Sequence, residues 1–406
     1  MNQQSLLSDE LSWRGFINQT TFQDFSDINK PRIFYWGVDP SADSMQVGNL
    51  ASAMMIRHFL EHGHKAILLV GGATGMIGDP DGKKQERDLK DLDEIAKNKA
   101  AIVEQYKTIF AGYDFEIVDN YDWFEKINYL DFLRDVGKHA SMTQMLDRDF
   151  VQNRIGKGGE GISYAEFSYA LIQGYDFLHL FREKGATLQL AGADQWGNSI
   201  TGVSLIRRLE GADAHVLTNP LITNKKTGIK FGKSEGGAIW LDPRKTSPYK
   251  FYQFWLNVDD ETARDLVKIY TLLDRPTIEA LLERHEQTPH LRELQKILAD
   301  EVTSLIHGNE RCRLVKRVTA VLFGSESIES LSGEEINMLA TEIPTVDPGS
   351  LVASMQSAGI VRSAGEAKRL ITNNAITVNG KKVLEDCQLH SPSIIKKGKN
   401  TFILVR

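Results

Sequence analysis

Between residues 33 and 217, five short apolar runs alternate with helix-like stretches, and this alternation constrains the fold more than any other feature of the chain. Ile33-Phe34-Tyr35-Trp36-Gly37-Val38 is aromatic and β-branched, Lys65–Val70 reads KAILLV, and Asp114–Val118, Thr187–Ala191 and His215–Leu217 follow. Runs of this kind read as buried strands. The stretches between them, 49–62, 94–110 and 195–209, carry apolar residues at helical spacing. Strands separated by helices imply a Rossmann-like α/β fold, a doubly wound parallel sheet covered on both faces. Ligands then bind beyond the carboxyl ends of the strands, near the point where the winding reverses.

The remaining sequence divides by pattern. A mostly helical insertion, about 121–165, interrupts the rhythm and breaks at Gly156-Lys157-Gly158-Gly159-Glu160-Gly161, a loop by composition. From about 246 to 340 the pattern is all-helical, with 249–256, 262–272, 278–285 and 291–307 as helices. Thr341–Ser350, with Pro344 and Pro348, reads as a linker. Residues 351–406 form a small α+β module of two helices and a hairpin turning at Asn379-Gly380. The domains expected are thus 1–245, 246–340 and 351–406, and 406 residues allow two or three cores.

Charge is uneven. The whole chain carries −6, yet from Thr345 onward nine Lys/Arg face four Asp/Glu. A basic end on an acidic chain suggests contact with a polyanion, whereas a merely solvated basic face is the bland alternative. No segment reaches the roughly 18 consecutive apolar residues of a membrane span. Met1–Glu10 has neither an apolar signal core nor an arginine-rich face, so cytoplasmic residence is expected. Cys312 and Cys387 have no metal-ligand spacing, and no metal site is expected from protein side chains.

Phosphate-handling patterns bracket the sheet region. Neither the Walker A spacing nor the G-x-G-x-x-G fingerprint occurs: Gly228–Ser234 has only three residues between its glycines, and Gly71–Gly78 reads GGATGMIG. What remains is a strand–turn–helix around Gly37, Asp39, Gln46, Gly48 and Asn49, whose free backbone N–H groups favour an anion. Lys83 and Arg87 follow Asp79-Pro80 on a turn, and Lys230-Phe231-Gly232-Lys233-Ser234 is a glycine-hinged loop with two lysines. Each of these alone is most often a turn former or a solvated charge. Similarly, Tyr169, Gln173 and Asp176 lie at i, i+4 and i+7, which alone describes an ordinary amphipathic helix face.

In joint order, however, these patterns resemble the bacterial-type tyrosyl-tRNA synthetases, class I aminoacyl-tRNA synthetases, over essentially the whole chain. Gln46-Val47-Gly48-Asn49 stands where class I enzymes carry HIGH, and Lys230–Ser234 where they carry KMSKS. Gly71–Pro80 and Ala193-Asp194-Gln195-Trp196-Gly197-Asn198 are more family-specific than either, and the tail resembles the ribosomal S-four type of RNA-binding module.

The resemblance implies a tyrosine–tRNA ligase. Tyrosine is activated by ATP to tyrosyl-adenylate with release of pyrophosphate, and the tyrosyl group then passes to the 3′ end of tRNA(Tyr). It implies tyrosine contacts from Tyr35 and Asp176 (the phenol), from Asp79, Tyr169 and Gln173 (the α-ammonium), and from Gln195. It places Gly37, Asp39, Gly48, Gly192, Asp194 and Lys233 around ATP. The charge work on the leaving pyrophosphate falls to Lys83, Arg87, Lys230 and Lys233, beside Gln46, Asn49 and Ser234 of the signatures, with Mg²⁺ carried on the ATP phosphates. Lys368, Arg369, Lys381 and Lys382 would meet tRNA phosphates, and the insertion would form a homodimer. Two departures stand out. The family commonly has histidine at Gln46, and a small residue at Trp36, whose bulk either points away from ATP or reshapes that wall. A tryptophanyl-tRNA synthetase, a stand-alone nucleotidyltransferase and an RNA-binding protein on an inactive synthetase body are the alternatives. Amino-acid-dependent pyrophosphate exchange separates them.

Overall fold

The computed structural model describes residues 5–80, 90–156, 158–223, 225, 228, 231–234, 237–324 and 326–406. The chain forms two compact units: Met1–Ser247 with Phe254–Ile306, and Pro248–Gln253 with His307–Arg406.

The first unit is built on a six-stranded sheet. Its strands are β1 (Gln19–Thr20), β2 (Ile33–Val38), β3 (Lys65–Val70), β4 (Phe115–Asp119), β5 (Leu188–Gly192) and β6 (His215–Asn219), in the order β1-β6-β5-β2-β3-β4. Strands β2 to β6 run parallel, and β1 pairs antiparallel at the edge of β6. The helices before the insertion are α1 (Leu7–Arg14), α2 (Val47–Glu61), α3 (Gly72–Ile77) and α4 (Leu92–Ile109). The insertion holds α5 (Tyr121–Phe124), α6 (Tyr129–Asp135), α7 (Met142–Leu146) and α8 (Asp149–Ile155). Then come α9 (Tyr164–Lys184), α10 (Trp196–Glu210), and a hairpin of β7 (Lys233–Ser234) and β8 (Gly237–Ala238). The α/β architecture read from the alternation is the one observed. After β2 the chain builds outward through β3 and β4, then returns to the other side of β2 to form β5 and β6. The winding therefore reverses between β2 and β5.

The continuous apolar run of β2 is explained by cover on both faces. Phe34 packs on Phe59 of α2 at 5.4 Å between ring centroids, and Trp36 on Tyr106 of α4 at 5.4 Å. Tyr35, pointing the other way, meets Phe177 of α9 at 5.2 Å. Trp36 thus lies on the sheet face opposite Tyr35. Helices α9 and α10 cross at glycines. A Cβ on Gly174 would fall 2.8 Å from Thr201 Cγ2, and one on Gly202 would fall 2.8 Å from Phe177 Cβ. That close approach brings the Tyr169–Asp176 face beside the loop that opens α10.

Helices α11 (Pro248–Leu256), α12 (Asp260–Tyr270), α13 (Arg275–Gln287) and α14 (Glu293–His307) follow. The second unit contains α15 (Asn309–Phe323), α16 (Gly333–Glu342), β9 (Thr345–Val346), α17 (Leu351–Ser357), α18 (Ala364–Thr372), β10 (Ile376–Val378), β11 (Lys381–Lys382), β12 (Ser393–Lys397) and β13 (Thr401–Val405). Its sheet order is β11-β10-β12-β13-β9. The helical stretch expected over 246–340 is shared between the units, and the proline-flanked stretch 341–350 contains β9, which pairs parallel to β13. One core in this unit joins Val318, Leu322 and Leu339 of α15 and α16 to Ile394, Phe402 and Leu404 of the sheet. Among the described residues no helix is long and apolar enough to cross a membrane.

Candidate active site

The carboxyl ends of β2 and β5 meet at the winding reversal, and the sequence-predicted side chains gather there. Gly37 is in β2 and Asp39 just beyond it; Gly192 ends β5, with Asp194 and Gln195 in the tight turn leading into α10. The Asp39 carboxylate accepts from Tyr169 Oη at 2.7 Å and from Thr74 Oγ1 at 2.6 Å. The Gln195 Nε2 donates to Asp79 Oδ2, joining two residues 116 positions apart. Close packing dictates the glycines: a Cβ on Gly192 would lie 2.6 Å from Asp194 Oδ1, and one on Gly71 would lie 2.3 Å from Asp39 Oδ1.

One level deeper lies a polar cluster inside an apolar wall. Tyr35 is 1% exposed and Asp176 2%. Trp123 Nε1 donates to Asp176 Oδ1 at 3.0 Å, and Asn120 Nδ2 donates to Oδ2 at 3.1 Å. Burial pushes the Asp176 carboxyl well above the usual carboxylate range, although both of those bonds pull it down. Burial, reinforced by the Asp176 charge, likewise raises the Tyr35 phenol. Among the described residues Tyr35 Oη and Gln173 Oε1 have no hydrogen-bond partner. Gln189, paired with Tyr35 across β2 and β5 and also buried, has an unpartnered Oε1. Unpartnered buried polar atoms also occur elsewhere among the described residues, at His64 and Thr303 for example, so it is their grouping beside Asp176 that points to a polar ligand here. The Tyr169 hydroxyl is held neutral by burial first and by Asp39 second.

Asn120, Trp123, Thr74 and Gln189 belong to this cluster but escaped sequence reasoning. Asn120 is locked from two sides. Its Oδ1 accepts from Ala73 N at 2.7 Å, while Asp119 Oδ1 accepts from Gly72 N at 3.0 Å, so the pair caps α3. The Asn120 amide group is then oriented with its Nδ2 toward Thr74 Oγ1 and Asp176. A polar pair directly after a strand, facing a Gly-Gly pair after its neighbour, is the sequence signal that could have revealed it.

At the phosphate-signature end, the backbone differs from a helix end with free N–H groups. Val47 N donates to Ile239 O at 3.1 Å, and Asn49 N and Leu50 N both reach Gln46 O. Asn49 Oδ1 accepts from Gln46 N at 3.0 Å, which makes Asn49 a cap for its own helix. Gly48 remains, and a Cβ placed there would meet no atom within 4 Å. The segment after the second signature lies antiparallel against the first, with a bridge between Gln46 and Trp240 and a bond from Leu241 N to Met45 O at 3.0 Å. Gly232, at φ +89°, sits where a Cβ would be 3.6 Å from Gly48 N. From α12, the Tyr270 hydroxyl donates to Val47 O at 3.2 Å. Lys83, Arg87 and Lys230 lie outside the described residues. For Lys233 and Ser234 only the backbone, paired in β7 with β8, is described. Lys368, Arg369, Lys381 and Lys382 of the second unit are exposed.

A family model described as tRNA synthetases class I (W and Y) matches residues 27–324. The Tyrosine--tRNA ligase of Bacteroides thetaiotaomicron is 41% identical over 420 residues, covering 98% of this chain and 96% of that protein. Tyrosine--tRNA ligase 2 of Bacillus cereus is 41% identical over 418 residues, covering 98% and 99%. Among solved structures, a C-terminally truncated mitochondrial tyrosyl-tRNA synthetase of Aspergillus nidulans superposes with a TM-score of 0.70 at 30% identity, over 78% of this chain and 94% of that one. The tyrosyl-tRNA synthetase of Archaeoglobus fulgidus, at 15% identity and a TM-score of 0.57, shares the fold. With identity at this level running through both units, the chain belongs to the class I tRNA synthetases (W and Y), among its tyrosine-specific members.

Proposed function

We propose that this chain is a tyrosine–tRNA ligase, which activates L-tyrosine with ATP and transfers the tyrosyl group to tRNA(Tyr). The observation that carries the amino-acid assignment is the buried Tyr35 hydroxyl, without a partner among the described residues, in the electrostatic reach of the buried Asp176 carboxyl. A phenol can accept from Tyr35 and donate to Asp176 beside its Trp123 and Asn120 bonds, whereas an unsubstituted ring can do neither. An indole N–H can donate but offers no oxygen lone pair.

The chain's own groups orient the reaction. Asp79, held by Gln195, and the Tyr169–Asp39 pair bind the α-ammonium and fix the amino acid. The tyrosine carboxylate, already ionised at neutral pH, attacks the α-phosphorus in line, so the protein's task is positioning and charge neutralisation. Lys83, Arg87, Lys230 and Lys233 neutralise the leaving pyrophosphate, beside Gln46 and the open backbone at Gly48. Mg²⁺ enters with ATP on its β- and γ-phosphates and supplies further neutralisation. Gly37 leaves room for the adenosine ribose, and Asp194 binds it.

Exposed apolar residues on the insertion, Tyr129, Leu130, Met142, Ile155 and Tyr164, support a homodimer through that surface. Lys368, Arg369, Lys381 and Lys382 support phosphate contacts to tRNA that weaken with salt. Cytoplasmic residence accords with this role. The deciding experiment is ATP–pyrophosphate exchange with tyrosine, phenylalanine and tryptophan in parallel. Exchange with tyrosine alone is expected, and exchange with tryptophan but not tyrosine overturns the assignment.

A further inference from the structure

Gln195 can serve Asp79 only if its side-chain amide faces the right way, and the structure contains a device that decides this. An amide is nearly symmetric in shape, so its orientation is set by its hydrogen-bonding neighbours. Gln195 Nε2 donates to Asp79, and its Oε1 accepts from Asn198 Nδ2 at 3.3 Å. Asn198, itself buried, has its Oδ1 on Arg148 Nη1 at 2.7 Å. The Arg148 Nη2 meanwhile donates to the Gly197 carbonyl and, at 2.9 Å, to Thr201 Oγ1. The guanidinium lies flat against the backbone at Gly197, where a Cβ would be in ordinary van der Waals contact with Arg148 Cζ at 3.5 Å.

We propose that Arg148, a residue of the helical insertion, is a positioning residue for tyrosine binding that acts by polarity. A guanidinium has donors and no acceptor. Arg148 therefore obliges Asn198 to turn its oxygen outward and its NH₂ toward Gln195. Gln195 must then turn its oxygen to Asn198 and its NH₂ to the Asp79 carboxylate. The sense of every amide in the row is fixed from both ends, by a guanidinium that cannot accept at Arg148 and by a carboxylate that cannot donate at Asp79. If the row is reversed, the Gln195 oxygen faces the Asp79 carboxylate, acceptor against acceptor, and the α-ammonium site is disordered. Arg148 itself touches neither Asp79 nor Gln195 by any of these bonds, so its influence is exerted through Asn198.

This inference rests on the reading of the chain as a tyrosine-activating enzyme, and one set of measurements separates the two. Wild-type pyrophosphate exchange with tyrosine tests the reading, and the ratio of variant to wild type tests the row. The diagnostic change is Asn198→Asp. The new carboxylate keeps, and strengthens, the bond to Arg148, yet it has no NH₂ for Gln195, whose amide then reverses. The KM for tyrosine is expected to rise roughly tenfold, in keeping with one buried hydrogen bond lost and one opposed. The KM for ATP should stay within about twofold, since the row ends on the ammonium side. Arg148→Met, which leaves only the Asp79 end to orient the row, should raise the KM for tyrosine by a smaller factor. An Asn198→Asp protein whose KM for tyrosine is unchanged or lower overturns the proposal, because a merely structural Arg148 needs only an acceptor at position 198. A parallel rise in both KM values with a fall in kcat also overturns it, since that is general distortion.

Discussion

Replacing Tyr35 by Phe removes one oxygen from a wall that is otherwise unchanged, and the structure sets the size of the effect. Tyr35 is 1% exposed and its hydroxyl has no partner among the described residues. When phenylalanine occupies the wild-type site, both that hydroxyl and Asp176 lose the substrate oxygen. The orphaned Tyr35 hydroxyl costs about 1–3 kcal/mol, and Asp176, which keeps its bonds from Trp123 and Asn120, loses one bond to a charged group worth about 1.5–3 kcal/mol, so the two together give about 2.5–6 kcal/mol of discrimination, or roughly 60-fold to 2 × 10⁴-fold. Tyr35→Phe leaves only the Asp176 share, and the discrimination should fall by a factor of about 5 to 150. Part of that fall is a loss with tyrosine, since one hydrogen bond of about 0.5–1.5 kcal/mol disappears. The remainder is a gain with phenylalanine. The assay is kcat/KM for pyrophosphate exchange with each amino acid, accompanied by thermal unfolding without amino acid. Because the deleted hydroxyl has no partner among the described residues, Tm should hold or rise. An unchanged tyrosine-to-phenylalanine ratio refutes the reasoning, and so does a large drop in Tm, which would mean the hydroxyl is bonded to the protein.

Further expectations concern charge and signatures. Burial raises the Asp176 pKa, and a phenol donor favours its ionised form, so tyrosine affinity should increase as pH rises through that raised value. Calorimetry in buffers of different ionisation enthalpy should register proton release on binding in the same window. His64 is depressed to about 4, by burial first and by the neighbouring His62 and Arg32 charges next, so the fold binds its neutral form. Its stabilising contribution is present above the ordinary histidine value near 6.5 and is lost as pH falls toward 4, up to about 3 kcal/mol. His64→Leu should flatten the acid limb of an unfolding-versus-pH curve. Gln46→His, which restores a group able to carry charge at the first signature, should leave pyrophosphate exchange equal or faster; slower exchange argues against a phosphate role for residue 46. Truncation after Pro344 should spare adenylate formation while weakening tRNA charging. It also uncovers Val318, Leu322 and Leu339, so light scattering should show increased self-association.

Legibility in the sequence followed the range of the interactions. Strands β2 and β3 were evident because cover on both faces demands unbroken apolar runs, and both end where the pattern ends. The face shared by Tyr169, Gln173 and Asp176 was evident from helical spacing. Residues whose role depends on a partner far along the chain were not. Trp123 sits on a four-residue helix with no periodicity of its own, yet it meets Asp176 53 positions away. The two-residue strand β1 is specified by its neighbour β6 rather than by its own composition. Asn49 carried a local message that competed with the expected one, since its side chain caps the helix it sits on. The side of the sheet taken by Trp36 became clear only once α4 was in place, with Tyr106 and Phe110 around its ring.

The pairing of residues 45–47 with 239–241 has a consequence for how this protein comes into being. A helix start that depends on a carbonyl almost 200 residues downstream cannot be completed by any shorter nascent fragment. Non-local contacts of this kind form late, because loop closure must precede them. During synthesis residues 45–47 leave the ribosome long before residues 239–241, so this helix start takes its final form only after both have emerged.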